Sequence, residues 1–250
     1  MSRIQIKLIL VILAFLTRLS LSYSQSLDYE SVFGTDWTKA EAFEAENREW
    51  IEPLIKKHNI TYPLAVAVIF PELVRYSALR DKMETSLLKT LYVNLGEYYA
   101  NFSIGQLQMK PSFAESIRKE APLVLSRRSG IVFMDETEFS DIKNYRKSIV
   151  TDLEDPKIQF RYLIAFIKIC EKRFKTSRMD EITRIKFLAT VYNYGLDKSI
   201  DQINNMMDKK YYNTKLFKTE NYSYSDVAVF WYRQYLFKKK TEDGRRKTEV

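Results

Sequence analysis

An unbroken apolar stretch at residues 64–70 (LAVAVIF) sets the strongest constraint on how this chain can fold. Because it presents apolar side chains in every direction, the rest of the domain must surround it. Its periodicity alone is also compatible with a buried strand. Thr61 is a favourable N-cap residue and Pro63 suits a first helical turn, so we expect a buried central helix.

The composition favours helices along the whole chain. Gly and Pro number only 6 each in 250 residues, which is too few for the loops of a β-sandwich. Helical periodicity recurs, whereas strand signals are scarce, and the best of them is residues 130–134 (GIVFM). The sequence therefore predicts a single all-α domain with at most a short β element. Pro53 and Pro71 fall within helical patterns, and we expect a kink or a helix end at each.

The N-terminus has the pattern of a secretory signal peptide at residues 1–24. Arg3 and Lys7 precede a nine-residue apolar run, and residues 22–24 (SYS) offer a cleavage site. The run is too short to span a hydrocarbon core of about 30 Å. Arg18 behind the run leaves an uncleaved anchor open as an alternative. We expect export to the periplasm or the cell surface.

The rest of the chain divides into a linker at 25–36, the domain at 37–237 and a charged, solvated tail at 238–250. The formal net charge is +8. The predicted signal peptide holds three cations and no acids, so the mature chain would carry +5. This excess of positive charge suits binding to an anionic polymer. Export argues against nucleic acid, and no segment after the signal peptide is apolar enough to cross a membrane.

Residue counts also exclude several kinds of site. Cys170 is the one cysteine and His58 the one histidine. A disulfide framework, a cysteine zinc site and a histidine-rich metal site are therefore excluded, and a histidine-centred hydrolytic triad is disfavoured. We predict neither a metal nor a cofactor.

Glu72 is the first candidate site residue, because it directly follows the apolar stretch. Its neighbours Phe70, Pro71 and Leu73 are apolar, and such surroundings favour a neutral carboxyl that keeps its proton near neutral pH. A structural alternative is an ion pair with Arg75. We expect the apolar surroundings to dominate and Arg75 to turn to solvent.

Two further motifs carry polar groups suited to a sugar. The motif SIGQLQMKP contains Gly105, which allows close backbone approach, and Gln108, whose amide can bind an acetamido or hydroxyl group. The motif ATVYNYG places Tyr192 and Asn193 at a helix end. Aromatic rings stack on sugar faces and Asn can bridge hydroxyls. Each motif alone is also consistent with an ordinary loop or helix end.

The order of the three motifs resembles that of the soluble lytic transglycosylases and goose-type lysozymes, whose pattern is E-S, then S-x-G-L-M-Q-I-x-P, then A-Y-N-A-G. The resemblance implies a lysozyme-like all-α domain, a monomer without cofactor, with a cleft for peptidoglycan glycan strands. It implies Glu72 as the catalytic residue. The matching positions implied to bind substrate are Ser103, Gly105, Gln108, Tyr192 and Asn193. We expect them to converge on one cleft with Glu72.

The chain departs from the family pattern at Leu73 and in the length of residues 79–99, and one cleft position of the family has two candidate matches. Leu73 stands where the family has Ser, so one orienting hydrogen bond to Glu72 is missing. Residues 79–99 lengthen the chain between the first two motifs and are expected to add a helix beside the cleft. The family's last helix carries another cleft tyrosine, for which Tyr224 and Tyr232 both qualify.

The resemblance implies cleavage of the MurNAc–GlcNAc β-1,4 bond. Goose-type enzymes have acidic residues where this chain has Tyr99 and Lys110. A lytic transglycosylase with Glu72 as acid and base, forming 1,6-anhydroMurNAc, therefore fits best. A hydrolytic goose-type lysozyme using Glu97 or Asp81, and a catalytically silent peptidoglycan-binding or scaffold protein, stay open as alternatives.

Overall fold

The computed structural model describes residues 27–79, 85–214 and 220–248. The predicted signal peptide at 1–24 and Asp81 lie outside these residues. The chain divides into two compact units, one reaching Val32 and the other beginning at Phe33. The elements that build the candidate site all belong to the second unit.

The described residues form ten α-helices and one two-stranded sheet, which confirms the all-α prediction with a minor β element. The helices are α1 (Tyr29–Phe33), α2 (Thr35–Lys56), α3 (Tyr62–Leu79), α4 (Thr85–Leu95), α5 (Pro111–Glu120), α6 (Ile142–Glu154), α7 (Pro156–Phe174), α8 (Glu181–Tyr194), α9 (Ile200–Met206) and α10 (Tyr224–Thr248). The antiparallel strands are β1 (Lys210–Tyr212) and β2 (Tyr222–Ser223). Within the described ranges, no helix has the length and apolar character needed to cross a membrane.

Helix α3 is the centre of the second unit, and it packs against α2, α8 and α10. Every residue of the stretch 64–70 is at most 1 % exposed. Aromatic rings enclose its end, because the Phe70 ring centroid lies 4.6 Å from that of Trp37 and 5.2 Å from that of Trp231. The prediction of a buried central helix is therefore confirmed.

A kink or a helix end was expected at each of the two prolines, and a helix end occurs at neither. Helix α2 continues past Pro53 and α3 continues past Pro71. A proline in a helix interior costs about 3 kcal/mol, and the burial of the apolar turns on both sides of Pro71 is large enough to offset that cost. Glu72 consequently lies inside a long helix and not at its end.

Two segments differ from what their sequence patterns indicated. Residues 130–134 contain no strand: Val132 and Met134 are exposed, and no second strand lies alongside within the described ranges. The predicted linker 25–36 contains α1 and the start of α2. The charged tail is exposed through residue 245, and it continues α10 because its many Lys, Arg and Glu residues are good helix formers.

Candidate active site

A cavity of about 1310 Å³ lies in the second unit and collects residues from several distant segments. Its lining comes from α3, the loop before α5, α5 itself, residues 135–142, the end of α8 and strand β1. Typical small-molecule pockets measure about 300–1,000 Å³. This cavity is therefore large enough for a segment of a polymer.

Glu72 lies in the cavity wall with its side chain only 3 % exposed. The Asn193 side-chain Nδ2 donates a hydrogen bond to Glu72 Oε1 at 3.0 Å. The Arg75 Nη1 atom donates to both carboxyl oxygens, at 2.8 and 2.9 Å. The first and third motifs, which are far apart in the sequence, therefore meet at this carboxyl.

Arg75 does not turn to solvent, so that expectation was wrong. Its guanidinium carbon lies 4.7 Å from the centroid of the Tyr212 ring, which holds it against the cavity wall. Burial lowers the pKa of Arg75, but the Glu72 charge, the nearby Tyr212 and Tyr224 and the hydrogen bond to Glu72 together outweigh it, so the pKa is raised. In the free protein Glu72 is thus one half of an ion pair.

The second motif forms a closed loop. The backbone N–H groups of Ile104 and Met109 each donate to the other's carbonyl, at 2.9 and 3.1 Å. Gln159 of α7 is fully buried beneath the loop. Its side chain accepts a hydrogen bond from the Leu107 N–H at 3.1 Å and donates one to the Ile104 carbonyl at 2.8 Å. One buried amide therefore fixes the loop in place.

Gly105 allows close packing on the protein side of the loop, in place of the ligand approach that we expected. It has a φ of 69°, and an added Cβ would lie 2.4 Å from the Leu153 carbonyl oxygen and 2.7 Å from Gln159 Nε2. Gly105 is not among the described residues that line the cavity. Only glycine fits this contact with α6 and α7.

The other residues of the second and third motifs face the cavity as expected. Ser103, Gln108 and Tyr192 line it together with Glu72 and Asn193. Gln108 has a left-handed φ of 49°, and its Nε2 donates to the Gly105 carbonyl at 3.0 Å. The predicted convergence of the motifs on one cleft therefore agrees with the geometry.

Tyr192 ties the third motif to the second. Its ring lies between those of Phe113 and Phe166, with centroids 5.3 and 5.4 Å away. Its hydroxyl donates to the Leu107 carbonyl at 2.8 Å. Burial, with a contribution from the Glu72 charge, raises the pKa of Tyr192 well above its usual value. The hydroxyl therefore stays a donor.

Strand β1 supplies two tyrosines that the sequence analysis missed. The Tyr212 hydroxyl donates to the Pro71 carbonyl at 2.5 Å, directly before Glu72. Tyr211 lines the cavity, and its buried hydroxyl has no hydrogen-bond partner within the described part of the chain. Burial chiefly raises the pKa of Tyr211, to about 12. The hairpin that carries both residues had no strand signal, so nothing in the sequence marked them.

The two tyrosines proposed from the last helix pack in the core of the domain. Tyr224 is fully buried, and its hydroxyl donates to the Val68 carbonyl at 3.3 Å. Tyr232 is 6 % exposed. Neither is among the described residues around the cavity. The described tyrosines that line the cavity besides Tyr192 are Tyr145, Tyr194 and Tyr211.

Carboxylates other than Glu72 also line the cavity, namely Glu97, Glu115, Asp135, Glu136, Asp141 and Asp197. Glu115 was missed by the sequence analysis. It accepts a hydrogen bond from the Tyr92 hydroxyl at 2.5 Å. Burial raises the pKa of Glu115, the Tyr92 hydrogen bond opposes this, and the Glu97 charge adds to it. No cluster of three or more metal-ligating side chains occurs in residues 27–79, 85–214 or 220–248.

We expect Gly105→Ala to lower the free energy of unfolding by about 1–3 kcal/mol more than Gly130→Ala does. Both glycines have a positive φ, 69° and 78°, but near Gly130 the added Cβ would meet only the flexible end of Lys57 at 3.4 Å. Urea denaturation of the two variants measures the difference. Equal losses of stability in the two variants would show that the close contact of residue 105 with Leu153 and Gln159 does not add to the cost of the substitution.

Three Tyr→Phe variants compare the two tyrosine hydroxyls that donate hydrogen bonds with the one that has no partner within the described residues. Tyr192→Phe removes the donor to the Leu107 carbonyl in the loop and should cost about 1–3 kcal/mol, whereas Tyr212→Phe removes an additional donor from the Pro71 carbonyl inside α3 and should cost about 0.5–1.5 kcal/mol. Tyr211→Phe breaks no hydrogen bond, so stability should stay constant or rise. Denaturant or thermal unfolding provides the measurement, and a loss at Tyr211 equal to that at Tyr212 would contradict this assignment.

Comparison with known proteins adds no relative: no protein-family model matches the chain, and neither the curated proteins nor the solved structures give a match. The functional argument therefore depends on the motif residues and on the geometry that joins them.

Proposed function

We propose that this protein is a peptidoglycan lytic transglycosylase, which cleaves the MurNAc–GlcNAc β-1,4 bond with Glu72 as general acid and base. The observation that carries the proposal is the hydrogen bond from Asn193 to Glu72, 121 residues apart, in a cavity that the second motif also lines. Chance matches to three short motifs have no reason to place their polar residues around one carboxyl.

In the proposed reaction, Glu72 donates a proton to the bridging oxygen as its bond to C1 of MurNAc breaks. The N-acetyl group of the same sugar stabilises the positive charge at C1. Glu72 then accepts the proton of the C6 hydroxyl, whose oxygen bonds to C1 and closes the 1,6-anhydro ring. The carboxyl returns to its starting state, and one well-placed group serves both steps.

The orientation of Glu72 in this proposal comes from Asn193. The family's serine would sit at Leu73, which is buried and cannot donate a hydrogen bond. The Asn193 amide, which comes from α8, donates to Oε1 instead. Tyr212, bonded to the Pro71 carbonyl, fixes the helical turn from which Glu72 projects.

The ion pair with Arg75 favours a second candidate, a catalytically silent peptidoglycan-binding or scaffold protein. A carboxylate that accepts hydrogen bonds at both oxygens from a guanidinium has no proton to donate. In the enzyme, bound glycan must displace the Arg75 contact from the oxygen that faces the glycosidic bond, and that oxygen must take up a proton from solvent before it can donate one. In the silent protein, the pair stays closed when glycan binds.

We expect Glu72→Gln to reduce peptidoglycan cleavage by at least the 10²–10⁴-fold typical of a lost general acid, because the amide keeps the volume but cannot transfer the proton. Zymography and mass spectrometry of the released muropeptides measure the rate and the products. The wild-type products should end in 1,6-anhydroMurNAc. Glu97→Gln and Glu115→Gln, also in the cavity wall, are the matched controls and should cost much less.

The same experiment decides between the alternatives. Reducing sugar ends, together with a loss in Glu97→Gln as large as in Glu72→Gln, would identify a hydrolytic goose-type lysozyme. Binding to peptidoglycan without cleavage by the wild type would identify the silent protein. The proposal also requires export, so full-length protein that fractionates with the cytosol would contradict it.

A further inference from the structure

Two neighbouring tyrosines at the cavity rim face outward. Tyr98 is 96 % exposed and Tyr99 is 66 % exposed. Glu97, directly before this pair, and Asn101, two residues after it, both line the cavity. The two rings are therefore next to the opening, on the turn that follows α4.

The exposure of the pair is imposed by a fixed turn. The Gly96 N–H donates to the Tyr92 carbonyl at 2.8 Å, and the Gly96 carbonyl accepts from the backbone N–H groups of Tyr99 and Ala100 at 3.1 and 3.3 Å. Gly96 has a φ of 90°, and a Cβ there would lie 2.7 Å from Arg146 Nη2. Ala100, directly after the pair, is only 4 % exposed. The backbone is thus held on both sides of the two rings.

The cavity side of the same turn is also fixed. Asn101 Oδ1 accepts a hydrogen bond from the Ser112 hydroxyl of α5 at 2.9 Å, so the turn is linked to the helix that forms part of the cavity wall. Helix α4, which leads into the turn, packs against α6. The backbone that carries the two rings therefore keeps a constant position relative to the opening.

We propose that Tyr98 and Tyr99 form an outer sugar-binding platform, on which a glycan strand stacks where it leaves the cavity. This inference rests on the proposed function. A tyrosine ring has an apolar face for the C–H face of a sugar and a hydroxyl that stays in water, which suits a ligand that is half solvated. A strand longer than the cavity must cross the rim.

The platform belongs to the segment at 79–99 that lengthens this chain relative to the lytic transglycosylase pattern. The platform predicts that this protein binds long glycan strands more tightly than short ones. A short oligosaccharide is held by the cavity alone, whereas a long one also gains the two ring contacts outside it.

The test compares two ligands on the full-length chain in a Glu72→Gln background, which prevents cleavage during the measurement. The ligands are purified peptide-free glycan strands and the disaccharide unit of the same polymer, and calorimetry gives their affinities. We expect Tyr98→Ala combined with Tyr99→Ala to weaken binding of the long strands by about 3- to 10-fold and to leave binding of the disaccharide unchanged.

Two controls check the cause. Tyr98→Phe combined with Tyr99→Phe keeps both rings and should retain the affinity for long strands. Phe237→Ala removes a ring that is 73 % exposed on α10 and should have no effect on either ligand. Because all three positions are exposed, the variants should unfold at the temperature of the parent.

The outcomes separate this inference from the function that it rests on. If the parent binds neither ligand, the proposed function fails and the platform fails with it. If the parent binds the long strands and the alanine variant binds them equally well, the platform alone is wrong. An equal loss for both ligands would also overturn it, since the tyrosines would then act on the cavity itself.

Discussion

The site depends on one electrostatic requirement: a carboxylate placed in the central helix of the domain must find partners inside the protein. Glu72 is 2 % exposed and follows a stretch that is wholly buried. An unpaired charge at such a position would be very costly. Arg75, one helical turn later, and Asn193, from α8, satisfy both oxygens. The need to pair this charge is what binds α8 to α3 at the cavity.

Tyrosine hydroxyls provide the second level of organisation. Tyr192, Tyr212 and Tyr224 each donate to a backbone carbonyl, those of Leu107, Pro71 and Val68 respectively. Two of these carbonyls belong to α3 and the third to the loop of the second motif. Residues from α8, β1 and α10 are thereby attached to α3 or to that loop. A large aromatic residue with a polar tip suits this task, because its ring fills the core while its hydroxyl reaches backbone.

Sequence patterns were sufficient for the helical class, for the buried stretch 64–70 and for the residues that converge on Glu72. They failed where the outcome depended on distant contacts. The contact of Gly105 with Leu153 and the position of Tyr211 depend on packing between segments that no local pattern connects. The choice of Arg75 between solvent and Glu72 was decided by burial, since the ring of Tyr212 covers its guanidinium.

The hydrogen bonds of these three tyrosines also make the stability of the folded chain depend on pH. Burial chiefly raises the pKa values of Tyr192, Tyr212 and Tyr224 well above 10.0 in the folded chain. The folded state then holds protons that the unfolded chain releases above about pH 10, so stability falls as the pH rises beyond that value. A phenolate cannot donate to a carbonyl. In strong alkali the chain would therefore lose its central packing and its cavity wall in one event, whereas acid leaves these three bonds intact.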